Sequence, residues 1–100
     1  MTITRPQEGD AVDVTNDWTV CWREFTEESS FDIRLIHMTT PPAENVFIQT
    51  VTDASEKGCV TIPGRHIDGI AGGPGYRVWA NALGTSETPF VESKTFTVEN

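Results

Sequence analysis

Apolar side chains recur at every second position in several short runs, and Gly, Pro, Asn and Asp separate the runs. A period of two marks a strand with one buried face. The runs are "MTITRP", "AVDVTN", "DWTVCWREF", "SFDIRLIHM", "NVFIQTVTD", "GCVTIP", "GYRVWANAL" and "SKTFTVEN". Arg5-Pro6 confines the first to a sheet edge or an early end, because proline donates no ladder hydrogen bond. Pro41-Pro42 separates the fourth run from the fifth, Pro63-Gly64 ends the sixth, and "AGGPG" precedes the seventh. The segments "REFTEESS" and "PGRHIDGIAGG" hold at most a turn of helix. About seven short strands at this spacing predict an all-β domain. Its expected form is an immunoglobulin/fibronectin-III-like sandwich of two antiparallel sheets.

The alternation also assigns faces. Trp18, Val20 and Trp22 share one side of their strand. They are expected to meet Ile33, Leu35, Val60, Ile62, Tyr76, Val78, Ala80, Phe96 and Val98 in the core. Asp32, Arg34 and Ile36 take the other side of their strand, and so do Arg77, Trp79 and Asn81.

A chain of 100 residues predicts one domain spanning residues 1–100, with one modest core. No apolar run approaches the ~20 residues that cross a bilayer, and "MTITRPQEGD" lacks the basic start and apolar core of a leader. The net charge is −8 and no basic run occurs. Such a chain is repelled by phosphate backbones and anionic lipid, so nucleic acid and membrane surfaces are not expected partners.

The order of the strand motifs is recognisable. "ITRPQEGDAV" is like an opening strand followed by a P-x-x-G turn. "WTVCW", "FDIRLIH", "GCVTIP", "GYRVWANA" and "SKTFTV" follow in the order and spacing of the fungal Ser/Thr-rich GPI-anchored membrane family. The chain resembles the N-terminal domain which that family shares with the yeast cell-wall proteins of β-1,6-glucan assembly. The resemblance covers nearly the whole chain. It implies an extracellular setting, secreted or in the cell wall, and a fibronectin-III-like sandwich, and it carries no catalytic residues. This chain departs from the family pattern in ending at the last strand, without a Ser/Thr-rich tail or hydrophobic C-terminus.

In such a sandwich Cys21 and Cys59 both point away from the core, on strands expected to be neighbours. A Cys21–Cys59 disulfide on the outer face is the expectation, with two free thiols as the alternative. Tyr76 opens a late strand after a Gly-rich turn, the position of a tyrosine corner whose hydroxyl bonds upstream backbone.

Catalytic motifs are missing: there is no G-x-S-x-G elbow, H-E-x-x-H or phosphate loop. "AGGPGYRV" runs into a strand and so presents no helix terminus to a phosphate. Glu27 and Glu28 read as a solvated polar loop, as do Glu8, Asp10 and Asp13, whose spacing does not fit an EF-hand. His37 and His66 are far apart, and no C-x-x-C occurs, so no metal or other cofactor is expected. The expected function is therefore non-enzymatic. The candidate ligand-binding residues are Trp79, Arg77, Asn81 and Arg34, on one outer face. A tryptophan ring covers the apolar face of a pyranose while polar neighbours take its hydroxyls. Cell-wall β-glucan is the expected partner. The alternative is a protein–protein interaction or adhesion module acting on a cell-surface protein, or a spacer, without carbohydrate affinity, since Trp and Arg are also enriched in protein contacts.

Overall fold

The computed structural model describes residues 1–25, 30–38 and 43–100. The expected carboxylate pair Glu27/Glu28 and the Pro41-Pro42 loop lie outside the described residues. The described chain forms nine strands: β1 (Thr2–Arg5), β2 (Ala11–Asp13), β3 (Trp18–Arg23), β4 (Phe31–His37), β5 (Glu44–Val51), β6 (Cys59–Ile62), β7 (Gly73–Asn81), β8 (Pro89–Glu92) and β9 (Phe96–Glu99). No helix occurs among them.

The strands make two sheets, as a sandwich requires. A small sheet runs β1-β3-β6, and a large one runs β2-β9-β7-β4-β5, with β8 also pairing β7. All pairings are antiparallel except β2 with β9, which is parallel. The first strand of the domain thus crosses between sheets. β1 pairs with β3, then the chain turns and β2 pairs with the last strand.

The alternation places the core as expected. Trp18, Val20, Trp22, Ile33, Leu35, Ile62, Tyr76, Val78, Ala80, Phe96 and Val98 are all buried, and Val60 is partly buried against them. Trp22 meets Phe31 edge to face at 5.1 Å, and Phe25 meets Phe31 at 5.2 Å. These geometries add to the burial of the rings themselves. The Trp22 indole donates to the Ala54 carbonyl at 3.0 Å.

Two elements differ from the alternation. An additional strand precedes the closing run, since Pro89–Glu92 pairs with the end of β7 before Phe96–Glu99 pairs with its start. "PFVE" is short and opens with proline, so its period was too brief to read. The segment from Pro63 to Gly72 has no helical turn but buries Ile67 and Ile70. Asn100 clamps it, accepting from the Ile67 amide at 3.1 Å and donating to the Ile67 and Ile70 carbonyls, each at 2.9 Å. Gly64 lies against the Thr15–Asn16 turn so closely that a Cβ there would sit 2.5 Å from the Thr15 carbonyl oxygen. Only a residue without a side chain fits that contact.

Cys21 and Cys59 are directly opposed on β3 and β6 and form a disulfide, with Cα atoms 4.0 Å apart. The next pair along the ladder is hydrogen-bonded, Trp22 N–H to the Gly58 carbonyl at 2.8 Å. The cysteines therefore occupy a non-hydrogen-bonded site, where opposed residues approach most closely. The bridge lies on the outer face of the small sheet, in line with Thr19 and Thr61.

Candidate functional site

β4, β5, β7 and β8 present the outer face of the large sheet, and their register sets what stands beside what. Phe47, Arg34, Trp79 and Glu92 form one row across four strands, and Asn45, Ile36 and Arg77 form the next. Rows of this kind put side chains within reach of one another.

The structure brings three of the four expected site residues to this face. Trp79 is half-buried, and its indole N–H donates to Glu92 Oε2 at 3.1 Å. Arg77 donates to Glu92 Oε1 at 2.9 Å, so one carboxylate holds both side chains. Arg34, the cross-strand partner of Trp79, donates through Nε to Asn45 Oδ1 at 2.6 Å.

The fourth is a correction. Asn81 has the parity of Trp79 but is fully buried, and among the described residues neither its amide nitrogen nor its amide oxygen has a hydrogen-bond partner. The loop from Ala82 to Thr88 accounts for this. It folds back over that end of the face, with the Gly84 amide donating to Asp32 Oδ2 at 2.9 Å. Asp32 is the cross-strand partner of Asn81 and is buried too, with its other oxygen accepting from Thr50 at 2.6 Å. The loop is anchored again where Asn45 donates to the Ser86 carbonyl at 2.7 Å. Asn81 is therefore withdrawn from the ligand surface. Alternation gives the side of a sheet, but it does not show which loop lies on that side.

Concavities stand open among the described residues. A hollow of about 150 Å³ is lined by Ile36, Met38, Gly75, Arg77, Trp79, Glu92 and Thr95. Its lining combines the apolar Ile36, Met38 and Trp79 with the Arg77–Glu92 pair and Thr95. The loop itself encloses a wider cleft of about 530 Å³, lined by Ala82, Gly84, Thr85, Ser86, Glu87 and Thr88. Sequence reasoning missed Glu92, Met38 and Thr95. Glu92 needed β8 to be recognised, and Met38 and Thr95 lie just beyond strand ends, where a two-residue period carries no signal.

Below the hollow, Tyr76 holds the turn that starts β7. Its buried hydroxyl accepts from the Gly72 amide at 3.0 Å and donates to the Glu44 carboxylate. The bond to backbone four residues upstream is that of a tyrosine corner. Glu44 also accepts from the Ala71 amide at 3.1 Å. Burial, helped by the bond to Glu44, pushes the phenol up to about 12. The His37 ring packs beside it, 4.6 Å between centroids.

The acidic turn near the N-terminus is internally satisfied. Asp13 accepts from Thr15 and Asn16, and the Thr15 bonds hold its carboxyl below the usual range. Asp10 accepts from the Gln7 amide. Among the described residues, no three His, Cys, Asp or Glu side chains gather as a metal site would need.

No protein-family model and no curated protein sequence matches this chain.

Proposed function

We propose that this domain is a non-catalytic binding module that holds a cell-wall β-glucan on the outer face of its large sheet. The hollow at Trp79 carries the proposal. It sets an aromatic ring and two aliphatic side chains beside a fixed carboxylate, a guanidinium and a hydroxyl. A pyranose needs that combination, with apolar C–H groups on one face and hydroxyls around the ring. Glu92 and Arg77 are held by each other, so little side-chain freedom is lost on binding. A fungal, secreted or wall-associated setting rests on the family resemblance, and the disulfide is compatible with an extracellular location.

A protein partner is the second reading. Met38, Phe47 and Leu83 are large apolar side chains left exposed, at 57%, 45% and 51%. Exposed large apolar side chains on one molecule suit a protein surface better than a hydroxylated polymer.

The test is retention of the purified domain on insoluble β-1,3-glucan, β-1,6-glucan and chitin, with Trp79→Ala alongside. Retention on a glucan that is lost in the folded variant supports the proposal. Passage through all three polymers refutes it and turns the search to cell-surface proteins.

A further inference from the structure

The two sheets end in strands of very different length. β1 and β6 border the small sheet with four residues each, and β2 borders the large sheet with three. Proline ends two of these edges, at Pro6 and Pro63. Short strands and prolines are the usual protection against edge-to-edge pairing. β5 is different. It has eight residues, Glu44–Val51, and among the described residues it pairs only with β4. Its far side therefore offers unpaired backbone N–H and C=O groups over most of its length.

The sequence of β5 suits pairing. Asn45–Val51, "NVFIQTV", contains no charge, proline or glycine, in a chain of net charge −8. Segments that are β-prone, uncharged and free of proline are the ones that pair with copies of themselves. One protective device is present. A bulge at Ile48, the extra residue between the pairs Gln49–Ile33 and Phe47–Arg34, re-aims the second half of the strand. The first half, Glu44–Phe47, stays regular, and Phe47 stands exposed beside it.

We infer that β5 is a self-association edge, and that a second copy of this chain pairs antiparallel with it across a two-fold axis near Val46–Phe47. A second copy is the fitting occupant because an isologous joint is self-complementary by symmetry. Antiparallel pairing across this axis also keeps the single charge, Glu44, away from its own mate. It brings neutral strand against neutral strand in molecules that otherwise repel. The two large sheets become one continuous sheet, with the two Phe47 rings on its outer face.

Sedimentation of the purified domain over a range of concentrations tests this, with amide hydrogen exchange at both ends of the range and Phe47→Glu in parallel. The expected result is a mass that rises from one chain to two. Amides of residues 45–48 that point away from β4 gain at least tenfold protection at high concentration, and added salt strengthens association by screening the net charge. Phe47→Glu, at an exposed position, retains the fold and weakens association at least tenfold. A one-chain mass at every concentration overturns the inference. So does a dimer whose β5 amides gain no protection, or one that Phe47→Glu leaves unchanged. None of these outcomes bears on glucan retention through Trp79.

Discussion

The outer faces of the two sheets differ in what holds them and in what they offer. The small sheet has three short strands, and its outer face is crossed by the Cys21–Cys59 bridge beside the Thr19–Thr61 pair. The large sheet carries Phe47, Arg34, Trp79 and Glu92 in one row, with a folded loop at one end and a hollow beside the tryptophan. A four-residue strand contributes few ladder bonds, so the small sheet relies on a covalent tie. The large sheet needs no such tie, because strands of seven to nine residues pair at its centre. Its outer face is thereby free to hold side chains whose use is not packing.

That division can be tested from its strongest side down. Replacing both Cys21 and Cys59 with Ala removes the closure of a loop of 38 residues. The chain-entropy relation gives a loss of about 3–4 kcal/mol. Urea unfolding of the variant, or of the reduced protein, is expected to show a midpoint lowered in that proportion. A loss below 1 kcal/mol would mean that the small sheet stands without its staple.

Gly64→Ala strikes the joint between the two sheets, where β6 leaves its strand against the Thr15–Asn16 turn. A Cβ 2.5 Å from backbone atoms forces the turn or the strand end to move. Overpacking of this kind costs about 3 kcal/mol, again read by urea unfolding.

On the large sheet, Tyr76→Phe removes the hydroxyl that joins Gly72 to Glu44 and leaves both without that partner. A loss of about 1–2 kcal/mol is expected. The same residue gives a pH test. The folded phenol titrates near 12 against 10 for a free tyrosine, so the fold favours the protonated form. Its contribution to stability is complete below pH 10 and is lost as pH rises from 10 toward 12. Tyr76 is the only tyrosine in the chain, so ultraviolet titration of phenolate reads it directly. A midpoint near 10 would show that neither the burial of the hydroxyl nor its bond to Glu44 persists in solution.

The smallest stability effect belongs to the proposed site. Trp79→Ala is expected to change stability by under about 1 kcal/mol, as for most half-exposed positions. It is expected to abolish glucan retention.

The parts of this molecule legible in the sequence are those governed by a period of two. Trp18, Val20 and Trp22 pointed inward and Cys21 outward because consecutive residues of a strand must alternate, and the disulfide followed once β3 and β6 were neighbours. Arg34 beside Trp79 followed in the same way. What stayed hidden depends on contacts between distant segments. Asn81 was read as a surface residue because nothing local says that Gly84 will turn back to Asp32. Glu92 was missed because β8 is four residues long and begins with proline. Tyr76 was placed by its turn, but its partner Glu44 lies 32 residues upstream and was visible only in three dimensions.

On the proposed reading the ligand binds the outer face of the large sheet, beside Trp79. The chain has three tryptophans, and they report on it separately. Trp18 and Trp22 are buried in the core at 7% and 4% exposure, while Trp79 lines the hollow. The most direct measurement follows the three indole N–H signals by nitrogen-15 NMR as β-1,3- and β-1,6-gluco-oligosaccharides are added. The Trp79 signal, bonded to Glu92, is expected to shift in a saturable way with one of the two series while those of Trp18 and Trp22 stay in place. Three unmoved signals, or a shift confined to the core tryptophans, would contradict that reading.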